Sequence, residues 1–258
     1  MAATNFANRT ALVTGAASGI GLAAARLLAN QGAARLILAD RDAQGLASAA
    51  DTLIGPELEL AAGDVADEAY WDRIGPSLGG LDLAVINAGV AGNGAIATLD
   101  FAEWRRILAV NLDGAFLSLR AAMRAMEAGG KGGAIVITAS AAGLKAEPGI
   151  AAYAASKAGV LQLARVAAKE GAAKRIRVNA IAPGGVETPI WRQASFFNDL
   201  AASKGSEAAA FAAMADMATP LGRYATADEI AGQIAFLLSD ACATVTGTTF
   251  VSDGGYTL

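Results

Sequence analysis

The sequence predicts an α/β fold, in which a single doubly wound parallel sheet of seven strands carries helices on both faces. Short apolar runs alternate with longer helical stretches along the 258 residues, as in parallel strand–helix–strand units. A glycine-rich turn lies between the first strand and the first helix, where such sheets bind nucleotides. No linker rich in proline or serine divides the chain, so we expect one Rossmann-like domain over residues 1–258.

The strands are predicted from short runs rich in Val, Ile, Leu and Ala, which are typical of strands buried on both faces. In order they are residues 10–14, 36–39, 58–61, 81–86, 134–138, 177–181 and 248–251. The first ends at the glycine turn, the second at Asp40, and the sixth shortly before Pro183, which has no N–H to donate. The segments between them are long enough for helices, predicted over residues 19–30, 42–53, 67–74, 101–127, 151–170 and 227–238.

The stretch 187–220 interrupts this alternation. It is rich in alanine and contains Trp191, Phe196, Phe197 and Phe211. Loops at the carboxyl ends of parallel strands are where ligands bind, so we favour a substrate lid here. An additional pair of surface helices is the alternative.

Composition excludes several classes of function. The chain has no histidine and a single cysteine, Cys242, which rules out a Ser-His-Asp hydrolase and a zinc site of Cys and His ligands. We expect no metal. The net charge of −4, with no basic cluster, argues against nucleic acid as a partner. There is no long apolar run for a membrane helix, and the start 1–10 has no signal-peptide pattern, so we expect a cytoplasmic protein.

The glycine-rich turn predicts a phosphate site. Glycine permits positive φ and a close backbone approach, and unpaired N–H groups at a helix start suit a pyrophosphate. The spacing is Gly-x-x-x-Gly-x-Gly, in the strand–turn–helix context that supports this interpretation. The residues expected to contact the cofactor here are Gly15, Ser18, Gly19, Ile20 and Gly21.

Asp40 predicts the choice of cofactor. It follows Gly21 by 19 residues (40 − 21), close to the spacing expected of the acidic residue that binds the adenosine ribose. A carboxylate there accepts hydrogen bonds from the ribose hydroxyls and repels a 2′-phosphate. Arg41 would partly offset that repulsion, but the glycine turn offers Ser18 and no basic residue. We therefore favour NAD over NADP.

Tyr153 and Lys157 stand four residues apart in the predicted helix 151–170, so their side chains share one face. Without histidine, a general acid or base must be a carboxylate, a lysine or a tyrosine. A phenol with an ordinary pKa of about 10 is a poor base at pH 7, but a nearby cation favours the phenolate. We therefore expect Lys157 to lower the pKa of Tyr153.

Further motifs stand in a recognisable order around this pair. They are Thr14 to Gly21, Asp64-Val65, Asn87-Ala88-Gly89, Asn111, Ser140, Tyr153-x-x-x-Lys157, Pro183-Gly184-x-x-x-Thr188 and Asp253-Gly254-Gly255. Over nearly its whole length the chain resembles the NAD-preferring branch, of about 250 residues, of the short-chain dehydrogenase/reductase family. The resemblance implies hydride transfer between NAD(H) and an alcohol or ketone.

The resemblance also implies roles. Tyr153 would be the acid/base, Lys157 would bind the nicotinamide ribose, Ser140 would orient the substrate oxygen, and Asn111 would anchor a water. The remaining cofactor contacts implied are Asp64 and Val65 beside the adenine, Asn87 and Gly89 at the ribose, and Val186 and Thr188 at the carboxamide. The long helices match those that pair between subunits, so we expect a homotetramer, with a dimer as the alternative.

The expected substrate is a hydrophobic secondary alcohol or ketone, because the candidate pocket residues are mostly apolar. They are Ser140, Ala142, Leu144, Ile150, Gly184, Trp191, Phe196 and Phe197, while Glu147 and Arg192 would argue against an apolar substrate. Two alternatives stay open. One is an NADPH-dependent 3-oxoacyl-thioester reductase, which Asp40 disfavours although Arg120, Arg124, Lys169, Lys174 and Arg175 could dock an acidic carrier. The other is a non-catalytic dinucleotide sensor, which would not need Tyr153.

Overall fold

The computed structural model describes residues 5–258, so the expectation for the polar start 1–10 lies partly outside the described residues. The strands are β1 (Thr10–Thr14), β2 (Arg35–Asp40), β3 (Glu57–Ala62), β4 (Leu83–Ile86), β5 (Gly133–Thr138), β6 (Ile176–Pro183), β7 (Val186–Glu187), β8 (Ala225–Thr226) and β9 (Thr249–Ser252). The α-helices are α1 (Gly19–Asn30), α2 (Ala43–Ala50), α3 (Glu68–Ile74), α4 (Phe101–Leu108), α5 (Gly114–Gly129), α6 (Ala151–Gly171), α7 (Ser195–Lys204), α8 (Glu207–Ala218) and α9 (Ala227–Leu238).

Seven strands form one sheet in the order β3-β2-β1-β4-β5-β6-β9. Every neighbouring pair in it is parallel, which confirms the predicted fold. The order reverses between β1 and β4, so a crevice opens at the carboxyl ends of these two strands. The sheet therefore places the glycine turn after β1 beside the loop that follows β4.

Helices cover both faces of the sheet and bury two apolar layers. One layer joins α3, α5 and α6 to the strands through side chains such as Trp71, Met126 and Val160. The other joins α1, α2 and α9 through Leu28, Leu46 and others. The central strands are apolar on both sides because both sides are covered, which is why they appear in the sequence as continuous apolar runs.

The expected single helix over 101–127 is interrupted. Residues Ala109–Asp113 form a π-helical turn between α4 and α5, centred on Asn111. The Asn111 side chain makes two hydrogen bonds with the backbone of Val90. Its Oδ1 accepts from the Val90 N–H at 2.8 Å, and its Nδ2 donates to the Val90 carbonyl at 3.0 Å. Such wide turns recur at functional sites, where a side chain is held against a neighbouring loop.

The stretch 187–220 forms surface helices, as in the second of the two alternatives, and its role as a substrate lid stays a prediction. It forms the two helices α7 and α8, and these border the cavity described below. They pack on an aromatic cluster of their own in which Trp191 stacks on Tyr224 at 5.9 Å and Phe197 lies 4.7 Å from Phe211. The short pair β7 and β8, which sequence patterning did not predict, ties the base of this segment to the start of α9. In the part of the chain that the structure describes, no helix is long and apolar enough to span a bilayer.

Candidate active site

A cavity of about 1030 Å³ opens at the carboxyl ends of the central strands. It extends from the glycine turn and Asp40 at one end to the segment with α7 and α8 at the other. The predicted site residues that line it are Gly15, Ser18, Gly19, Ile20, Asp40, Asn87, Gly89, Ser140, Ala142, Ile150, Tyr153, Lys157, Gly184, Val186, Thr188, Trp191 and Phe196. The fold thus brings most of the predicted cofactor and substrate residues to one continuous site.

Some predicted residues lie outside this lining. Phe197 is fully buried inside the aromatic cluster and Leu144 points to the exterior, so their prediction as pocket residues is wrong. Asp64 is exposed and accepts a hydrogen bond from the Ala66 N–H at 2.9 Å, while Val65 is buried in the core. Their contact with the adenine stays a prediction.

The glycine turn is shaped by close backbone packing. Gly15 has φ +68° and Gly19 φ +54°, which favour glycine. At Gly21, a Cβ would overlap the carbonyl oxygen of Gly15 and lie 2.8 Å from Asn87 Nδ2. Gly21 therefore lies beneath the cavity, where it lets the first turn of α1 approach β1 and leaves the amides at the start of α1 facing the site.

Thr14 joins this turn to the loop after β4. Its buried hydroxyl accepts hydrogen bonds from the N–H groups of Asn87 at 2.9 Å and Ala88 at 3.1 Å. Asn87 Nδ2 donates to the Thr14 carbonyl at 3.3 Å. The sequence placed Thr14 in the motif, but its role as a bridge between two strand ends requires the sheet order.

Asp40 is fixed at the rim of the cavity by two backbone donors. Its Oδ2 accepts from the Ala17 N–H and its Oδ1 from the Asp42 N–H, both at 3.1 Å. Each carboxylate oxygen keeps a lone pair for a further donor, such as a ribose hydroxyl. Arg41 is exposed and also lines the cavity, and it forms no ion pair with a carboxylate of residues 5–258.

Ser140 begins a tight turn that packs on α6. Its Oγ accepts from the Ala142 N–H at 3.1 Å, and the turn continues with a bond from the Gly143 N–H to the Ser140 carbonyl at 3.0 Å. A Cβ on Gly143 would lie 2.8 Å from the backbone of Lys157. Gly143, which sequence reasoning did not select, therefore allows the Ser140 turn to approach the helix that carries Tyr153.

Tyr153 and Lys157 do share a face of α6, but the pKa of Tyr153 differs from the prediction. Burial raises the pKa of Tyr153 above its ordinary value, and a hydrogen bond with Ser140 lowers it in part. Lys157 Nζ lies 5.7 Å from the centre of the Tyr153 ring and is not among the groups that lower its pKa. The prediction that Lys157 lowers the phenol pKa is wrong for the protein groups alone, because desolvation of the phenol dominates.

Lys157 is itself buried, with only 4% of its surface exposed. Burial lowers its pKa to about 8, and Nζ donates a hydrogen bond to the Thr138 carbonyl at 3.0 Å. A Cβ on Gly89 would lie 3.5 Å from Nζ and 3.3 Å from Asn111 Oδ1, so both groups pack closely against this glycine. Asn111 Nδ2 also donates to Ser156 Oγ at 3.2 Å, which ties the π-helical turn to α6. Its role as a water anchor stays a prediction.

Several polar groups of the site have unused hydrogen-bonding capacity that a nicotinamide dinucleotide could fill. An ammonium has three N–H donors, and the described contacts of Lys157 Nζ use one. The Thr138 hydroxyl, which the sequence did not single out, is buried at the cavity wall without a partner among residues 5–258. With the amides at the start of α1, these groups would hold a phosphate, a ribose and a polar ring substituent.

The segment that begins at β7 joins the two ends of the cavity. Thr188 lies beside the glycine turn, 3.4 Å from the position of a Cβ on Gly19. The Val186 carbonyl accepts from Trp191 Nε1 at 2.9 Å and from Thr188 Oγ1 at 3.4 Å, and the carboxamide contact of Val186 stays a prediction. Gln193 Oε1, missed by sequence reasoning, accepts from the Ala91 N–H at 3.3 Å and bridges the segment to the loop after β4.

Known proteins resemble this chain over nearly its whole length. A family profile described as "Enoyl-(Acyl carrier protein) reductase" matches residues 15–257. The cis-4-hydroxycyclohexanecarboxylate dehydrogenase of Sinomonas cyclohexanicum is 42% identical, over 98% of this chain and 98% of that protein.

Solved structures are also similar. A short-chain type dehydrogenase/reductase from Mycobacterium marinum superposes with a TM-score of 0.87 at 32% identity, covering 98% of this chain and 97% of the other. The carveol dehydrogenase from Mycobacterium avium in complex with NAD gives 0.89 at 30% identity, covering 98% and 99%. The chain is an oxidoreductase acting on alcohols, and its dinucleotide-binding fold supports a nicotinamide cofactor, NAD or NADP. The chain belongs to the short-chain dehydrogenase/reductase family.

Proposed function

We propose that this protein oxidises a hydrophobic, cyclic secondary alcohol to the ketone, reversibly, with NAD as its preferred cofactor. One observation carries the proposal: the Ser140 and Tyr153 hydroxyls and the Lys157 ammonium line the same cavity that reaches the glycine turn. When bound, the nicotinamide ring exchanges a hydride with the substrate carbon.

The residues of the chain would manage the proton. Tyr153 Oη takes the hydroxyl proton during oxidation and returns it during reduction. Ser140 Oγ, held by the Ala142 N–H, orients the substrate oxygen where charge develops. Lys157 donates to the nicotinamide ribose while the Thr138 carbonyl fixes its Nζ. Because burial raises the pKa of Tyr153, oxidation by the phenolate is expected to accelerate as the pH rises, and reduction as it falls.

The preference for NAD is supported by Asp40. The Ala17 and Asp42 amides hold its carboxylate at the cavity rim, where it can accept from both ribose hydroxyls. The same charge repels a 2′-phosphate, and Arg41 is the residue that could offset this repulsion.

A ring substrate is supported by the walls of the cavity and by the relatives. The side chains of Ile150, Trp191, Phe196 and Met214 provide a mainly apolar surface. Hydroxycyclohexanecarboxylate and carveol, the compounds in the names of two similar proteins, are both secondary alcohols on a six-membered ring. The segment 187–220 would act as a lid that excludes water from this ring.

A homotetramer is also proposed. Phe116 on α5 and Val166 on α6 leave 45% and 44% of their surfaces exposed, which supports helix pairing between subunits. Light scattering at micromolar concentration is expected to give four chains per particle, and a monomer would contradict the proposal.

The function is tested by initial rates with NAD or NADP on cyclohexanol, carveol and a linear secondary alcohol. We expect the highest kcat/KM with NAD and ring alcohols. Asp40→Asn is expected to lower the ratio of kcat/KM with NAD to kcat/KM with NADP by about 10-fold, because it removes the negative charge and keeps the shape of the side chain. Asp51→Asn, an exposed residue at the end of α2, is the matched control.

Other results would favour the alternatives. Turnover confined to NADP and 3-oxoacyl thioesters would favour the thioester reductase. Tight dinucleotide binding without turnover of any alcohol would favour the sensor.

A further inference from the structure

Two charged residues line the substrate end of the cavity and are not used in the chemistry above. The ionisable groups Asp40, Arg41 and Asp42 belong to the ribose end, and Lys157 lies at the centre. The other acidic or basic side chains in this lining are Lys145 and Glu147, away from the glycine turn. They meet at Tyr256, the third residue from the carboxyl end of the chain.

Lys145 presents a cation without a matching carboxylate. Its Nζ donates to the Tyr256 carbonyl at 2.7 Å and lies 4.2 Å from the centre of the Tyr256 ring. Within residues 5–258 no carboxylate forms an ion pair with it, whereas the lid residue Arg192 is paired with Glu207 at 2.7 Å. The side chain is half-buried, where a cation is less well hydrated than at the surface. Two of its three N–H donors are left for a group in the cavity.

Glu147 is engaged with a different partner. Its Oε1 accepts from the Tyr256 hydroxyl at 2.7 Å, and burial together with this carboxylate raises the pKa of Tyr256, so the phenol stays neutral. Glu147 is exposed and therefore screened by water, unlike the half-buried Lys145. Its carboxylate thus orients the ring that supports the Lys145 ammonium.

The backbone fixes Lys145 relative to the reacting end of the cavity. The Ser140 turn continues directly into it, with the Lys145 N–H donating to the Ala141 carbonyl at 2.9 Å. Ser140, which would hold the substrate oxygen, and Lys145 therefore stand on one rigid wall, five residues apart (145 − 140). A ring substrate placed with its hydroxyl at Ser140 would extend along that wall.

Resting on the alcohol dehydrogenase function proposed above, we propose that Lys145 is a specificity-determining residue that binds a carboxylate carried by the ring substrate. The substrate class is then a hydroxylated carbocyclic acid, with its hydroxyl at Ser140 and Tyr153 and its carboxylate at the Lys145 ammonium. This refines the expectation of a wholly apolar substrate, because the ring faces apolar walls while its substituent meets a cation.

The test compares 4-hydroxycyclohexanecarboxylate with 4-hydroxycyclohexanecarboxamide, which has nearly the same shape and no charge. The wild-type protein is expected to favour the carboxylate by about 10- to 100-fold in kcat/KM, the range for a charge-assisted hydrogen bond. Lys145→Met should remove this preference mainly through KM and leave turnover of the carboxamide and of cyclohexanol within about 2-fold. Lys145→Arg should restore most of it. Lys131→Met, an exposed lysine just before β5 at the amino ends of the strands, is the matched control.

A binding measurement accompanies the kinetics. Cyclohexanecarboxylate has no hydroxyl to oxidise and is expected to inhibit the wild type competitively, and Lys145→Met about 10-fold less. Equal losses on carboxylate and carboxamide in Lys145→Met would assign the residue a purely structural role and overturn the proposal. So would a wild type that oxidises cyclohexanol but shows no preference for the carboxylate, in which case the alcohol dehydrogenase function stands. A wild type that oxidises none of these alcohols would instead overturn the function itself.

Discussion

The cofactor end of the cavity is shaped by backbone, whereas the substrate end is shaped by side chains. At the cofactor end, Gly15 and Gly21 make contacts that leave no room for a Cβ, and the Thr14 hydroxyl bonds to the loop after β4. At the substrate end, Trp191 and its aromatic neighbours pack on one another, and α7 and α8 hold them over the site. The first end has little freedom to vary in shape, and the second can be remodelled by single substitutions.

This difference assigns cofactor binding to one end of the cavity and substrate selectivity to the other. A dinucleotide has the same shape in every reaction that uses it, so a fixed backbone cradle suits it. Substrates differ, and a wall of side chains can be changed without disturbing the sheet. Tyr153 and Ser140 lie between the two ends, on elements anchored to the core.

The largest effect is expected from a substitution at the reacting centre, between the cofactor end and the substrate end of the cavity. Tyr153→Phe removes the proton-carrying hydroxyl and keeps the ring, so kcat should fall by about 1000-fold, within the range for general acid–base catalysis. Dinucleotide binding, measured by fluorescence titration, should change by less than about 3-fold because the cradle is intact. Residual turnover close to wild type would assign the proton transfer to another group.

A substitution in the cradle should have the next largest effect. Gly21→Ala places a methyl group against the Gly15 carbonyl, and we expect dinucleotide affinity to fall by about 100-fold as the turn is displaced. Gly232→Ala is the control, since it also adds a methyl group to a helix but meets nothing within 4 Å. That control should be neutral or stabilising by about 1 kcal/mol, from helix propensity. Equal dinucleotide affinity in the two variants would contradict a role for the glycine turn in cofactor binding.

Two neighbouring phenylalanines test the side-chain end. Phe196 lines the cavity with 48% of its surface exposed, whereas Phe197 is fully buried. Phe196→Ala should raise KM for ring alcohols by about 10-fold with Tm unchanged, while Phe197→Ala should lose about 3 kcal/mol of packing and expose α7 and α8 to proteolysis. The reverse pattern would mean that the two rings have exchanged places.

The smallest effect concerns the charge of Lys157. Its pKa is lowered from 10.5 to about 8 in the folded protein, so the folded state binds fewer protons than the unfolded state between these values. Stability should therefore rise as the pH increases from about 8 to 10.5, by at most about 3 kcal/mol. Lys157→Met should be more stable than wild type at pH 7 in chemical denaturation, with the difference shrinking above pH 8. A pH-independent difference would contradict the burial of the charged group.

The fold was confirmed, and the glycine turn and Asp40 lie at one cavity as predicted, because local sequence patterns determine both. Apolar runs predict buried strands, and the glycine spacing and Asp40 predict the dinucleotide site. Each of these signals depends only on residues that are close together in the sequence. The substrate end was predicted less well, since the sequence cannot tell Phe196 from Phe197, and only the packing of α7 on α8 buries one and exposes the other. The effect of Lys157 on the pKa of Tyr153 was predicted wrongly because helix spacing gives proximity but not desolvation.

The proposed function depends most directly on hydride transfer from a ring alcohol carbon to the cofactor. Cyclohexanol deuterated at the carbinol carbon would be incubated with NAD and wild-type protein, and the reduced dinucleotide analysed by NMR. We predict one deuterium on the nicotinamide ring, on a single face, at the rate of ketone formation. Ketone formation without deuterium in the dinucleotide, or no ketone at all, would contradict the account.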